Sequence, residues 1–318
     1  MTPSDLLARL KLPAIASPMF LVSGPDLVVE ACRGGLMGSF PALNQRSSEG
    51  FDVWLTEIEE RLESARVAGE SPAPYAVNLI VHGSNQRVEP DLEIAVKHRV
   101  PVIITSLGIR PEVIEAVHAY GGLVFHDVTQ TRHAKKAAGA GVDGLIAVCA
   151  GAGGHAGTLN PFAFTDEIRR FYDGLIILAG GISTGAQVAA ARMMGADLAY
   201  MGTRFIATEE SRADATYKQM ILDAGTADIV YTPEISGVPA NFLKASLERA
   251  GLDGTGKPPE TLDFGEREAK AWRDVWSAGH GAASVHDVPK TADLCRALVA
   301  EYQGAAGRLR FTDPAPRR

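Results

Sequence analysis

The stretch Leu175–Phe205, LIILAGGISTGAQVAAARMMGADLAYMGTRF, decides the fold. Leu175–Ala179 is a short run apolar on both faces, as a buried parallel strand requires. Gly180-Gly181-Ile182-Ser183 then turns the chain. Thr184 stands as an N-cap before an alanine-rich helix to Met194, which stops at Gly195. A second apolar run, Leu198–Met201, ends in Gly202-Thr203-Arg204. Strand, glycine turn, helix, strand, glycine turn is one βα unit closed by the strand of the next.

The same rhythm extends toward the amino terminus. Ala14–Met19, Leu36–Phe40, Tyr75–Leu79, Pro101–Thr105, Leu123–Asp127 and Gly144–Cys149 are further apolar runs, their starts about 20 to 40 residues apart. Helical stretches lie between them. Pro111–Tyr120 begins with proline in its first turn and stops at Gly121-Gly122, and Asp166–Tyr172 is a shorter one. A doubly wound sheet also alternates in this way, but eight units with phosphate-type loops after the last two predict a closed (β/α)₈ barrel. Past Thr208 the rhythm breaks. Residues 209–265 read as a mostly helical insertion over the barrel mouth, with helices at Ala213–Ala224 and Asn241–Ala250 and a Gly/Pro-rich stretch at Gly251–Pro259. The barrel then comprises residues 1–208 and 266–318, with Lys290–Gln303 as its last helix.

Composition removes several function classes. Asp and Glu outnumber Lys and Arg by 38 to 31, so the net charge of −7 offers no field for nucleic acid, and the arginines of the tail make a short solvated end. Cys32, Cys149 and Cys295 have neither zinc-site nor dithiol spacing. The opening MTPSDLLARLKLP lacks a signal peptide's charged-then-apolar order, and no apolar run reaches membrane-spanning length. A cytoplasmic location follows as the expectation. No lysine stands at the end of a barrel strand, which removes Schiff-base chemistry, and Asp127 alone is too few carboxylates for a metal site. Cys149 ends the sixth strand, where a buried thiol behaves as a small hydrophobe. Gly151-Ala152-Gly153-Gly154-His155-Ala156 fits the dinucleotide fingerprint, yet it follows the sixth unit and Pro161 comes soon after, so a Rossmann site is rejected.

What remains is a phosphate site. Glycines let backbone approach phosphate oxygens, and N–H groups at a following helix start donate to them. Either loop alone reads equally as a turn; two of them, 22 residues apart at Gly180 and Gly202 around one helix, point to a phosphate-bearing ligand. A phosphate site with glycine loops and histidines suits a flavin, which brings its own chemistry.

Pro18-Met19, Val77-Asn78-Leu79, His126, the GAGGHAGT run from Gly151, AGGI, MGTRF and the late Trp276-Ser277-Ala278-Gly279 together resemble the nitronate monooxygenase (2-nitropropane dioxygenase) family over about Pro13–Thr208 and again near Trp276. The resemblance implies FMN over the barrel mouth, with its phosphate at Gly180, Gly181, Gly202 and Thr203. Pro18, Met19, Asn78, His126, Ala150, Gly153 and Gly154 complete the cofactor set. It implies His155 as the base that takes the α-proton of a nitroalkane, whose nitronate passes electrons to the flavin before dioxygen completes conversion to a carbonyl compound and nitrite. An imidazole of ordinary pKa, near ~6.5, suits that task. The partners expected are the nitronate and dioxygen, with a homodimer as the candidate assembly, no metal, no nucleic acid and no membrane. FMN-dependent enoyl-thioester and quinone reductases share these motifs, so an NAD(P)H-dependent reductase is the alternative, and a flavin-free barrel is a third. Several relatives carry lysine where this chain has Asp127, which places redox tuning in question. His133 is assigned to a helix surface, and His280 receives no role.

Overall fold

A computed structural model describes residues 1–235, 237–259 and 275–307. Eight parallel strands close a barrel: β1 (Ala14–Ala16), β2 (Met37–Pro41), β3 (Ala76–Ile80), β4 (Val102–Ser106), β5 (Leu123–Val128), β6 (Gly144–Val148), β8 (Leu175–Ala179) and β9 (Leu198–Met201), with β9 returning to β1 through Ile15↔Tyr200. β7 (Gly154–His155) lies outside the barrel wall. The (β/α)₈ expectation therefore holds, and the strands ending in the two glycine turns keep their sequence-read limits.

Alternation along each strand divides the core into two shells. Ile15, Met37, Ala76, Ile104, Phe125, Ile146, Ile177 and Leu198 fill the interior, closed below by Leu6 of the amino-terminal helix α1 (Pro3–Ala8). Their neighbours, among them Val77, Ile103, Val124, Leu145, Ile176 and Ala199, face outward against the helices. Both shells are apolar, which is why the strands read as continuous hydrophobic runs.

The helices relevant to the site follow their strands. These are α2 (Pro25–Gly34), α3 (Ser48–Val67), α4 (Val88–Lys97), α5 (Pro111–Ala119), α6 (Thr131–Gly139), α7 (Pro161–Arg169) and α8 (Gly185–Met193). Thr184 caps α8 reciprocally with Gln187, as the sequence suggests. The stretch predicted at Asp166–Tyr172 begins earlier, because Asn160 caps it and Pro161 occupies its first turn. Past β9 come α9 (Thr203–Ile206), α10 (Ala215–Asp223), β10 (Ile229–Thr232), β11 (Ala240–Leu243), α11 (Lys244–Arg249) and α12 (Thr291–Gly307). The helix expected at Asn241–Ala250 starts only at Lys244; its first residues form β11, which pairs antiparallel with both β10 and β7. The part of the predicted insertion and barrel return between residues 260 and 274 lies outside the described residues. Among the described residues no helix is long and apolar enough to cross a membrane.

α12 packs against α8 and α2 and so closes the helical ring. Contact with α8 is backbone to backbone: a Cβ on Gly185 would come within 2.0 Å of the Leu298 carbonyl oxygen. Gly185→Ala should therefore lower stability by roughly 3 kcal/mol, as overpacking does. Gly139→Ala, where nothing stands within 4 Å, should leave it unchanged or raise it. Urea unfolding of both variants checks this; equal midpoints would contradict the packing.

Candidate active site

The carboxyl ends of the strands form a mouth where otherwise buried strands become partly open, at Pro18, Met19, Asp127, Ala150, Gly180, Gly181, Tyr200 and Gly202. The two phosphate-type loops stand side by side, because β8 pairs with β9. Gly180 and Gly181 have φ of 136° and 69°, and nothing lies within 4 Å of a Cβ placed on Gly181. Gly202 precedes α9, and a Cβ there would meet the Ser17 hydroxyl at 2.7 Å and Met19 Sδ at 3.7 Å. Met19, one of the expected cofactor residues, thus borders this turn. Thr203 Oγ1 accepts from Gly279 N–H at 2.9 Å, leaving its own hydrogen to donate. Ser183 Oγ is buried without a partner among the described residues. An open glycine shelf and a spare buried hydroxyl fit a phosphate group.

A segment to which sequence reasoning assigned no residues forms one wall. The turn Gly279–Ser284 lies against the glycine run after β6: His280 N–H donates to Gly151 carbonyl at 2.9 Å, and a Cβ on Gly279 would come within 2.4 Å of that same oxygen. Gly281 faces Ser183 Oγ. Trp276 anchors the segment, stacked on Tyr217 at 4.8 Å and covered by the Arg249 guanidinium at 3.6 Å, while Tyr217 OH donates to Ser277 carbonyl. Arg204, buried beneath, pairs with Asp287 at 2.5 Å and holds the far end. The resemblance over Trp276–Gly279 was the one signal for this wall, and His280 takes part through its backbone.

His155 sits on β7, fixed by pairing with Ala240 of β11, and Asn241 Nδ2 donates to Ala152 carbonyl at 2.6 Å. The run from Gly151 enters this short strand rather than a helix, which agrees with the rejection of a dinucleotide site. Gly153 is exposed, and Gly154 has φ of 69°. Burial lowers the His155 pKa to about 4, so its imidazole is neutral throughout the physiological range. That departs from the ordinary value expected from sequence.

Asn78, Ser106, Asp127 and Tyr200 form a polar floor directly above the apolar interior. Asn78 Nδ2 donates to Ile104 carbonyl at 3.2 Å and Ser106 Oγ at 2.7 Å; Ser106 in turn donates to Asp127 Oδ2 at 2.5 Å. With its amide hydrogens used, Asn78 has its carbonyl oxygen left to offer. Asp127 Oδ1 is buried without a hydrogen-bond partner among the described residues, and burial raises the Asp127 pKa to about 6.

His126 is a correction. It alternates with Phe125 and Asp127, so its ring leaves the mouth and meets Thr105 Oγ1 at 2.7 Å in the outer shell. Burial, with His133 and Lys136 of α6 nearby, lowers its pKa to about 4. A cofactor over the mouth is out of its reach. Cys149 faces outward too, with a thiol pushed up to about 12 by burial. His133 is exposed on α6, as expected. A groove of about 600 Å³ beside Phe171 and Tyr172 lies at the opposite, amino-terminal end of the barrel and is separate from these groups.

Two residues of the rim have unusual backbone. Leu21 after β1 and Leu107 after β4 both have φ of 60°, a left-handed conformation that costs a non-glycine residue about 1–2 kcal/mol. Asn44 holds the first loop, accepting from Leu21 N–H and donating to the Met19 and Ser23 carbonyls.

The family whose sequence pattern matches residues 54–301 is described as nitronate monooxygenase. The chain belongs to the nitronate monooxygenase family. It is a family of flavin-dependent oxidoreductases. Among relatives, the chain is 31% identical to a nitronate monooxygenase of Paraburkholderia phytofirmans over 59% of its own length and 54% of that protein's. It is 28% identical to a hydroxy-methyl-oxo-octahydroindene-carboxyl-CoA dehydrogenase of Rhodococcus jostii, over 75% of its own length and 65% of that protein's. The chain thus spans about half to two thirds of the length of these relatives. The fold matches that of a nitroalkane oxidase from Streptomyces ansochromogenes with a TM-score of 0.81 and 24% identity, covering 96% of this chain and 99% of the other.

Asp127 gives the site a pH signature. Its raised folded-state pKa means that the stability it contributes is fully present below the ordinary carboxyl value of 3.8 and is lost as pH rises through about 6. Asp127→Asn should therefore melt higher than the parent at pH 8, with the advantage shrinking toward pH 5. An advantage independent of pH, or largest at pH 5, would contradict an uncompensated buried carboxylate.

Proposed function

We propose that the chain binds FMN at the barrel mouth and oxidises alkyl nitronates with dioxygen to a carbonyl compound and nitrite. Nitroalkanes would enter the same reaction after deprotonation by His155. The observation that carries this reading is His155 itself, a neutral imidazole on the short strand after β6, held by strand pairing, in a barrel whose last two strands end in glycine turns suited to phosphate.

Gly180, Gly181, Gly202 and Thr203 would hold the phosphate, with the Ser183 hydroxyl as an added donor. Strand order puts β3 and β4 opposite β8 and β9, so a ring extending from that phosphate would cross the floor made by Asn78, Ser106 and Asp127. Met19 and Pro18 would flank it on the β1 side, and Ala150, Gly153 and Gly154 on the β6 side. When bound, the flavin supplies an electron acceptor that dioxygen can reoxidise.

The low pKa of His155 has two consequences. Almost none of the imidazole is charged at neutral pH, the protonation state a base requires. It is also a weaker base than one matched to the operating pH, so abstraction from carbon has less driving force. A preformed nitronate needs no such step. Nitronates are accordingly the better substrates on this reading, and Asn78, offering a carbonyl oxygen, orients the ring rather than moving protons.

Oxygen consumption and nitrite release with nitroethane and ethylnitronate test the reading. The parent should show higher kcat/KM on ethylnitronate. His155→Asn should lower kcat/KM on nitroethane by roughly 10²-fold or more, the usual worth of a general base, and change that on ethylnitronate little. The parent's nitroethane kcat/KM should bend downward near pH 4 rather than 6.5. Equal losses on both substrates, or no loss on either, would overturn the assignment of His155 as base.

A further inference from the structure

Arginine is seldom fully buried unless its charge is well met. Arg204 is 5% exposed, yet the carboxylate it pairs with, Asp287, is 68% exposed. Burial lowers the Arg204 pKa against the opposing pull of Asp287 and Glu301. A pair of this kind contributes little to stability, and an apolar side chain of similar volume is commonly as stable. The reason for arginine lies in what the guanidinium holds.

Two of its hydrogen bonds go to backbone. Nη1 donates to the carbonyls of Ala207 and Asp287, both at 3.2 Å, and Nη2 donates to Asp287 Oδ1 at 2.5 Å. The guanidinium therefore bridges the end of α9 to the chain that follows the Gly279–Ser284 turn. Three further contacts join the same stretches: Gly279 N–H to Thr203 Oγ1 at 2.9 Å, Glu209 N–H to the Pro289 carbonyl at 3.0 Å, and Thr291, through N–H and hydroxyl, to Glu210 Oε2. Residues 203–210 and 279–291 are thus bound side by side, and the contact at Thr203 involves an expected phosphate ligand.

Thr203 Oγ1 carries one hydrogen. Accepting from Gly279 N–H restricts the direction in which that hydrogen can donate. The turn that supplies Gly279 also brings Gly281 against Ser183 Oγ, the buried hydroxyl without a partner among the described residues. One turn therefore sets the surroundings of both hydroxyls of the shelf. Val285 N–H donates to the Ala282 carbonyl, which joins this turn to the stretch that Arg204 grips two residues later.

We propose that Arg204 is a positioning residue for the flavin phosphate: by gripping the late segment at Asp287 it keeps Gly279 on Thr203 and Gly281 at Ser183. This rests on the FMN reading above and adds to it a residue that acts through Thr203 rather than on the cofactor.

The test compares the dissociation constants of FMN and riboflavin, which differ only in the phosphate, for the parent, Arg204→Met, Thr203→Val and the double variant. The parent should bind FMN more tightly than riboflavin. Arg204→Met should weaken FMN about tenfold or more, the worth of one oriented hydrogen bond to a charged group, and leave riboflavin unchanged. In the double variant the losses should not add, since both substitutions act on the same hydrogen bond. Equal weakening of both flavins, no weakening of FMN, or additive losses overturns the proposal. Should Arg204→Met fail to fold, Asp287→Ala at the exposed partner takes its place, and FMN alone should weaken. A parent that binds FMN and riboflavin equally keeps the flavin and removes the phosphate role. If the parent binds neither flavin, the flavin reading falls and inorganic phosphate becomes the probe. A melting temperature raised by phosphate in the parent and not in Arg204→Met then keeps the positioning role; an equal rise in both proteins, or none in the parent, overturns it.

Discussion

Three pieces of backbone approach one another at the mouth more closely than side chains permit. The run after β6, the turn after β8 and the late segment around Gly279 meet through Gly151, Gly153, Gly279 and Gly281. A Cβ on Gly279 would overlap the Gly151 carbonyl, and one on Gly153 would come within 2.9 Å of the Gly279 nitrogen. This contact ties a segment far along the chain to two barrel loops and brings it against Thr203 and Ser183. Stacking of Trp276 on Tyr217 and the ion pair from buried Arg204 to exposed Asp287 hold the late segment in place. A side chain at Gly153 or Gly279 would push the late segment away from the run that leads to His155.

Beneath the opening, the polar floor has a definite direction of hydrogen bonding. Asn78 gives to Ser106, and Ser106 gives to Asp127, so a proton on Asp127 can reside only on the remaining oxygen, Oδ1. The floor therefore carries a group whose pKa burial has raised to about 6. Neutral His155 above and a titrating carboxyl below make the electrostatics of this mouth its own, within a fold shared widely by oxidoreductases of different chemistry.

Much of this architecture was legible in the sequence because buried parallel strands are apolar on both faces and glycine turns punctuate them. The same property hid the orientation of His126. In Leu123–Val128 the inner and outer residues are equally hydrophobic, so the alternation that turns His126 outward and Asp127 inward has no signature in residue type. Asn241–Leu243 was misread because NFLKASLER continues a helical spacing; its strand state is set by pairing with β10 and with the two-residue β7, partners distant in sequence. The wall at 275–284 has no periodicity, and its place follows from glycine contacts that exist only in three dimensions. Left-handed φ at Leu21 and Leu107 was equally invisible, since leucine ordinarily argues against it.

The most direct test of the central claim is anaerobic: purify the chain, load it with FMN, and record the flavin absorbance on adding ethylnitronate and, separately, NADH. The account predicts a bound flavin that is bleached by the nitronate and left oxidised by NADH. Rapid bleaching by NADH with none by the nitronate would contradict it and assign the site to a reductase, and failure to bind FMN would contradict the site itself.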